Sequence, residues 1–556
     1  MSLPMESFHF TPFEHRQPPR AQAPSQRHLR LWHFLAAMSL GLGAWYLHWR
    51  WTATLNPDAM IFSVLVASAE TLAYVGCILF FHDIWAPKDT PPAPPPRSRA
   101  EAGLAGDGPI RVDILITTYD EPPEIVALSI RAARALRLPE GCEANVYVLD
   151  DGNRPAMAAV AQREGALYIS RDRNTGFKAG NLRNALLRTD GDFFVICDAD
   201  TRLFPRFLEN TLGYFRDPAV AWVQTPHWFY DIPANADGTG EQDVFLCDPG
   251  LFFDIIQRRR HRNNASFCCG AGSIHRREAV FASALMEYGA RAAAPAERRF
   301  ALAARDLQPF RYHVSEDIYT SILVQSDPGG PWRSVYHPQV ESRMLSPWGL
   351  KAWAAQRLKY AGGSLDILFH DNPLIRKGLP WRTRLHYGAT FWSYLSCLWL
   401  PILLAAPVVA LLTGTAPLRA GIGEFFLHLL PVLIVTELAL IAGCWGQDVS
   451  KGRLLAIATL PLTLKALWQV IRRRKIGFAP TPKIPLYSEA LRIIWPHLLL
   501  IGISLAAAAY ALWQASLGQS SLGLPFLLVN LFWISWNIYM LSAAPRAALW
   551  RPKASR

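Results

Sequence analysis

Asp198-Ala199-Asp200 closes the apolar run Phe193-Phe194-Val195-Ile196-Cys197. Two carboxylates at the end of a buried strand can share a hard divalent cation, Mg²⁺ or Mn²⁺, with the phosphates of a nucleotide. The chemistry that needs such a pair is departure of a diphosphate, whose developing negative charge a metal or a cationic side chain must neutralise. A bare Asp-x-Asp is also a common solvated strand-to-turn junction, and three further segments pose the same choice. Asp150-Asp151-Gly152 reads as an Asp-Gly turn or as a ligand-facing strand end. Lys178-Ala179-Gly180-Asn181 opens a helix-like stretch with a cation and a small residue, which suits phosphate oxygens or an ordinary helix start. Ser315-Glu316-Asp317 offers a general base for a hydroxyl proton, or an N-cap followed by acidic residues. The order of the four, each at a strand end or helix start, favours the chemical reading of all.

Holding these residues together requires a sheet whose strands end on one side. Short β-branched runs alternate with helix-like segments: Val112 to Thr117, Glu124 to Leu136, Asn145 to Leu149, Lys178 to Leu187 and Phe193 to Cys197. This order predicts an α/β domain with a largely parallel sheet, and such sheets bind ligands at the carboxyl ends of their strands. Thr118-Tyr119-Asp120-Glu121, Asp150-Asp151-Gly152 and Asp198-Ala199-Asp200 all fall there. The Ala-, Arg- and Glu-rich segment from Ala282 to Asp306 predicts one or two solvent-facing helices with no chemistry of their own.

The remainder of the 556 residues is unlike a soluble protein, with 51% hydrophobic residues and 20 tryptophans. Apolar blocks at roughly 31–51, 60–82, 387–412, 425–446, 493–513 and 523–543 are each long enough to cross a bilayer. The first lacks a charged leader and a cleavage site, so it reads as a retained span. Arg16, Arg20, Arg27 and Arg30 precede it, Lys88, Arg97 and Arg99 follow the second block, and Lys451, Arg453, Arg472, Arg473, Arg474 and Lys475 crowd one later loop. Basic loops stay in the cytosol, so six crossings with both termini and the large middle segment inside satisfy every loop. The formal charge of +12 is then assigned to anionic lipid headgroups and to a pyrophosphate ligand, not to nucleic acid. The eight cysteines show no zinc-ligand or disulfide spacing. Pro87 to Arg97 reads as an extended linker.

Between about residues 110 and 370 the sequence resembles glycosyltransferase family 2, in its cellulose-synthase branch. The matching segments are Asp113-Ile114-Leu115 with Thr118-Tyr119-Asp120-Glu121-Pro122, Tyr147 to Gly152, Lys178 to Leu182, Asp198-Ala199-Asp200 and Val223-Gln224-Thr225-Pro226. Phe267-Cys268-Cys269-Gly270, Ser315-Glu316-Asp317, Gln356-Arg357-Leu358-Lys359-Tyr360 and Phe478-Ala479-Pro480-Thr481-Pro482-Lys483 continue the series. The resemblance implies a GT-A type domain, mostly parallel and Rossmann-like, inserted between transmembrane α-helices. It implies that Tyr119 and Glu121 meet the base of the nucleotide, Asp150 or Asp151 its uridine part and Lys178 the adjoining region. Asp198 and Asp200 would hold the metal and diphosphate, Asp317 with Glu316 beside it would supply the base, and Cys269-Gly270 would lie beside the acceptor. Phe478, Thr481 and Lys483 would form a gating loop over the donor. Gln356, Lys359 and Tyr360, at spacings of three and four on one helix face, would form the acceptor end with Lys359 near the diphosphate.

The implied organisation is a cytosolic tail over 1–30, two membrane helices over 31–82, a Pro-rich linker over 83–108 and the catalytic domain over 109–346. Interfacial helices over 347–386, two spans over 387–446, an interfacial helix with gating loop over 447–492, two spans over 493–543 and a tail over 544–556 follow. The implied activity is processive, inverting transfer from UDP-glucose to a growing β-glucan that crosses the inner or plasma membrane, with an accessory periplasmic subunit as a partner. A synthase of another polymer, and a membrane transporter or scaffold that only binds nucleotide sugar, are the alternatives. No cyclic-dinucleotide receptor domain is expected after the last span. The chain departs from the family pattern at Ser315, where threonine is usual, at Lys359 and Tyr360, where arginine and tryptophan are usual, and in a longer segment between Arg277 and Ser315.

Overall fold

The computed structural model describes residues 8–232, 243–292, 306–330, 332–347, 349–474, 490–519 and 523–550. Two long helices, α1 (Gln26–Thr52) and α2 (Met60–Asp83), precede a mixed α/β domain. That domain runs β1 (Ile110–Thr118), α3 (Pro123–Arg134), β2 (Cys142–Asp150), α4 (Pro155–Arg163), β3 (Leu167–Ser170), α5 (Phe177–Leu186), β4 (Phe193–Asp198), β5 (Arg202–Leu203), α6 (Phe207–Thr211) and β6 (Val220–Gln224). After a π-helical turn at Leu251–Gln257 come α7 (Arg258–Arg260), β7 (Ser273–Arg276), α8 (Arg277–Ala292), α9 (Glu316–Gln325), β8 (Arg333–Tyr336) and β9 (Ser342–Arg343).

Seven strands form one sheet in the order β3-β2-β1-β4-β7-β6-β8. Its centre is parallel and fully buried: β1 reads Ile-Arg-Val-Asp-Ile-Leu-Ile-Thr-Thr with eight of nine residues buried, as expected of a strand covered on both faces. β7 runs antiparallel to both β4 and β6. Its four residues, Ser-Ile-His-Arg, carry no β-branched run that would mark a strand direction, so the sequence left this reversal invisible. The reversal matters for the site, because it brings the start of β7 to the same edge at which β1, β2, β4 and β6 end.

Helices α10 (Leu350–His370), α11 (Trp381–Leu395), α12 (Leu400–Thr413), α13 (Ile422–Gly443), α14 (Val449–Ala458), α15 (Leu460–Ile471), α16 (Ala490–Ser516), α17 (Leu524–Leu541) and α18 (Ala543–Leu549) complete the chain. Among the described residues five helical segments are long and apolar enough to cross a membrane: Pro57–Asp83, Trp381–Thr413, Ile422–Gly443, Ala490–Ser516 and Leu524–Leu549. The α14–α15 pair, bent by 55°, would be a sixth if counted as one span. This is an integral membrane protein. The first apolar block lies within α1, which is not among the five because His, Trp and Tyr interrupt its apolar character. It nevertheless packs antiparallel along α13, with Ser39 bonded to Thr436 at 2.7 Å and Trp49 Nε1 donating to Glu424 at 2.7 Å.

The Pro-rich segment read as an extended linker is extended and docked against the α/β domain. Arg216 donates to the carbonyls of Pro94 and Pro95, Asp89 takes a two-pronged ion pair from Arg258, and Arg99 does the same for Asp192. Proline leaves these carbonyls as the only backbone bonding groups over much of the run, and arginine supplies the donors.

Candidate active site

At the carboxyl end of the sheet the strand register places Thr118 beside Asp150 and Thr117 beside Asp198. The loop after β1 is organised by Glu121, whose carboxylate accepts from Thr118 Oγ1 at 2.8 Å and from the amides of Tyr119 and Asp120 at 2.8 and 3.3 Å. Tyr119 is left exposed at the rim. Asp150 is wholly buried and accepts from the amides of Gly152 and Arg154, the Arg154 guanidinium and Tyr168 OH. Arg154 also bonds the Glu121 carbonyl and Thr118, fastening the first two loops together. Asp151 receives the Arg171 guanidinium at 2.5 and 2.8 Å, yet burial pushes its carboxyl above the usual range. Asp150 and Asp151 therefore both build and brace the turn after β2.

Next along the sheet edge, Asp198 is half exposed and holds Lys178 Nζ at 2.5 Å. Lys178 lies in the first turn of α5; burial would lower its pKa, but Asp198, Glu316 and Asp317 outweigh that and hold it above its ordinary value. Asp200 is buried, with Oδ2 accepting from the Leu345 amide at 2.8 Å. Opposite stands the turn that leads into β7. Gln224, at the end of β6, accepts from the Cys269 amide at 2.7 Å and donates to the Thr225 and Ala271 carbonyls. Gly270 sits at φ +86°, where a side chain is disfavoured, and a Cβ there would lie 3.4 Å from Lys178 Nζ and 3.8 Å from Asp317 Oδ2. Cys269 turns its sulfur to Gln257 Nε2 at 2.9 Å, and burial raises its thiol well above the ordinary value.

Asp317 occupies the first turn of α9. Burial and the adjacent Glu316 push its carboxyl up to about 6, against the Ile318 amide and the opposing cations Lys359 and Lys178. Ser315 makes no side-chain cap to this helix, so the plain N-cap reading of Ser315-Glu316-Asp317 does not hold. Helix α10 closes over this point, clamped by His313, which bonds Asp366 at 2.9 Å. It brings Lys359 and the exposed Tyr360 within electrostatic reach of Asp317, and Tyr360 also of Asp198; Gln356 is half buried one turn earlier. The structure thus gathers Lys178, Asp198, Gly270, Glu316, Asp317, Lys359 and Tyr360 around one cleft, with the Tyr119–Glu121 and Asp150–Asp151 loops forming its adjoining end. Phe478, Thr481 and Lys483 lie outside the described residues.

His227 was not singled out from the sequence. It is half-buried near Asp198, Lys178 and Asp200, bonded to the Ala271 carbonyl at 2.8 Å, and desolvation lowers its pKa to about 4, which keeps the ring neutral. Its position three residues beyond β6 obeys the strand-end rule that pointed to the other loops.

Residues 113–281 match the sequence profile of Glycosyl transferase family 2. The chain is 28% identical over 525 residues to Cellulose synthase 2 of Novacetimonas hansenii, covering 92% of this chain and 30% of that protein. It is 29% identical over 532 residues to the Cellulose synthase catalytic subunit [UDP-forming] of Pseudomonas fluorescens, covering 92% of this chain and 66% of that protein. A 385-residue stretch is 31% identical to Cellulose synthase 1 of Komagataeibacter xylinus, covering 68% of this chain and 23% of that protein. The chain therefore spans less than two thirds of the length of these relatives. Among solved structures, the mannosyltransferase PcManGT from Pyrobaculum calidifontis superposes with a TM-score of 0.49 at 16% identity, covering 74% of this chain and all of that one.

Proposed function

We propose that this chain, cellulose-synthase-like in sequence with a glycosyl transferase family 2 domain at its centre, is an inverting, processive glycosyltransferase that extends a β-glucan from UDP-glucose. The observation that carries the proposal is the convergence of Lys178, Asp198 and Asp317 around Gly270, where no side chain intrudes. Donor and acceptor can meet there. The acceptor hydroxyl attacks the anomeric carbon, its proton passes to the Asp317 carboxylate, and the bond to the nucleotide diphosphate breaks on the opposite face. A single displacement of this kind inverts the anomeric centre.

Lys178 stands where charge develops on the leaving group, and a cation there stabilises the transition state more than the ground state. The carboxylates of Asp198 and Asp200 are hard oxygen donors suited to Mg²⁺ or Mn²⁺. Among the described residues no group of three His, Cys, Asp or Glu side chains could hold an ion, so phosphate oxygens would complete the coordination. The metal would neutralise diphosphate charge. Tyr119 and the Asp150–Asp151 loop would receive the nucleoside, while Tyr360 would offer the growing chain a stacking ring with a hydroxyl, and Gln356 and Cys269 would line the same acceptor path.

With α1 counted as a crossing beside the five apolar segments, both termini and the catalytic domain fall on the cytosolic side, and the glucan leaves through the helical bundle. Lipids would surround that bundle, and an accessory subunit would meet it on the far side. Purified protein incubated with radiolabelled UDP-glucose, other nucleotide sugars and either Mg²⁺ or Mn²⁺ should yield polymer sensitive to β-glucanase. Polymer formed from a different sugar would reassign the substrate, and a lack of polymer from every donor would overturn the proposal.

A further inference from the structure

The N-terminal tail does not hang free before α1. Phe10 is 2% exposed, packed with Ile125 of α3, Tyr230 and Leu345, and stacked on Phe8 at 4.9 Å. Arg16 donates to the carbonyls of Tyr230 and Ile232 at 3.0 and 2.5 Å. Glu14 is the centre of the contact. Its Oε1 takes Arg202 at 2.6 Å and Tyr230 OH at 3.1 Å, and its Oε2 takes Arg343 at 2.9 Å.

The two arginines so bridged are direct partners in the β5–β9 ladder, Arg202 opposite Arg343. Like charges directly opposite one another destabilise a strand pair. Both guanidiniums lie over the ring of Tyr230, at 5.0 and 5.2 Å, on a largely buried surface. Burial and Arg202 depress the pKa of Arg343, and Glu14 works against them. The ladder is only two residues long; the Phe204 amide on the Glu341 carbonyl and the Met344 amide on the Trp228 carbonyl, both at 2.9 Å, hold its ends, but neither offsets the opposed cations. Its position gives the pairing consequence: β5 begins two residues after Asp200, and β9 ends two residues before Leu345, whose amide holds the Asp200 carboxylate. Ser346, next in line, is fixed by Asp231, which His9 of the tail also faces at 3.8 Å.

We infer that residues 8–16 form a built-in clamp on the back of the Asp198–Asp200 turn, with Glu14 as the counterion that lets β5 and β9 pair and so sets Asp200. Glu14 is a positioning residue, acting through Arg202 and Arg343 without touching substrate. The inference rests on the role proposed for Asp198 and Asp200 in holding the metal and diphosphate.

The test uses the full chain in detergent. Hydrogen exchange over residues 342–346 reports the clamp without any reaction, and the Mn²⁺ concentration for half-maximal transfer reports its effect on the site. Glu14→Gln should speed exchange of that segment at least tenfold and raise the Mn²⁺ requirement several-fold with a smaller fall in kcat. Glu14→Asp should recover part of both, and Arg343→Gln in the Glu14→Gln background should recover both by removing one of the opposed charges. Unchanged exchange in Glu14→Gln overturns the clamp, whatever the activity. Faster exchange with an unchanged Mn²⁺ requirement overturns its link to the site. A wild-type protein without transferase activity would instead count against the proposed function, with the exchange result still deciding the clamp.

Discussion

Asp317 carries the sharpest expectation among single residues, because burial and Glu316 push its carboxyl up to about 6 while Lys178 beside it is held charged. In the proposed reaction transfer needs this carboxylate as the base, so kcat/KM should rise tenfold per pH unit below that value and level off above it. Lys359 favours the ionised form; Lys359→Met should therefore move the inflection to higher pH, by up to about one unit. Asp317→Asn should lower transfer by roughly 10²–10⁴ with donor affinity nearly intact, read from nucleotide-sugar binding and turnover on the same preparation. An acid limb that stays in place in Asp317→Asn would show that another group titrates. The acidic motifs were legible because residue type and strand-end position coincide in them. The ion pair between Lys178 and Asp198 was not, since 20 residues separate them and only the order of β1, β2 and β4 brings them together. Arg154 stayed hidden for the same reason: it serves through the Glu121 carbonyl, a backbone group on a different strand-end loop.

Between elements, the decisive meeting is that of α10 with the start of α9. A Cβ on Gly363 would lie 2.0 Å from Ser315 Oγ and 2.8 Å from Ser315 Cβ, so α10 reaches Asp317 only because position 363 has no side chain. Gly363→Ala should force the helix outward and destabilise the protein by about 1–3 kcal/mol, the range for overpacking a close contact. It should slow transfer further by moving Lys359 and Tyr360 away from Asp317. Ser315→Gly in the same chain removes both clashing atoms and should restore thermal stability and turnover together. If Gly363→Ala unfolds at the wild-type temperature with normal turnover, the two helices have room to spare. The sequence announced α10 through its aromatic and basic face, and the strands through their β-branched runs. It was silent on how tightly the elements meet. A glycine pair inside a helix reads as a weak helix former until the neighbour is known.

Across the whole molecule, some of the positive charge turns inward. Arg258, Arg259 and Arg260 are buried and reach back to the membrane-proximal chain, Arg259 to the Ile84 carbonyl and Arg260 to Asp83 at the end of α2. A run of arginines reads as a solvated face in one dimension, because nothing in it reveals an acidic partner 177 residues away. Asp83 also accepts from His386 Nδ1 at 2.6 Å, and Asn263 completes the chain by bonding His386 Nε2 at 2.8 Å. Two spans and the catalytic domain are joined by this one buried carboxylate, whose side chain and that of Arg260 are each 3% exposed. Removing one partner of such a pair leaves the other charge without its counterion, at a cost of about 3–5 kcal/mol. Asp83→Asn should lower the unfolding temperature in detergent and shorten the polymer more than it slows donor hydrolysis, since hydrolysis needs only the cleft while elongation needs the cleft aligned with the bundle. Replacing the pair by apolar groups is far less costly, so Asp83→Leu with Arg260→Met should regain most of the lost stability. It should not regain polymer length if the clasp also fixes direction, because the remaining His386–Asn263 bond cannot orient the domain alone. Equal unfolding temperatures for Asp83→Asn and the wild type would mean that the docked proline segment and its arginine bonds suffice to hold domain and membrane together.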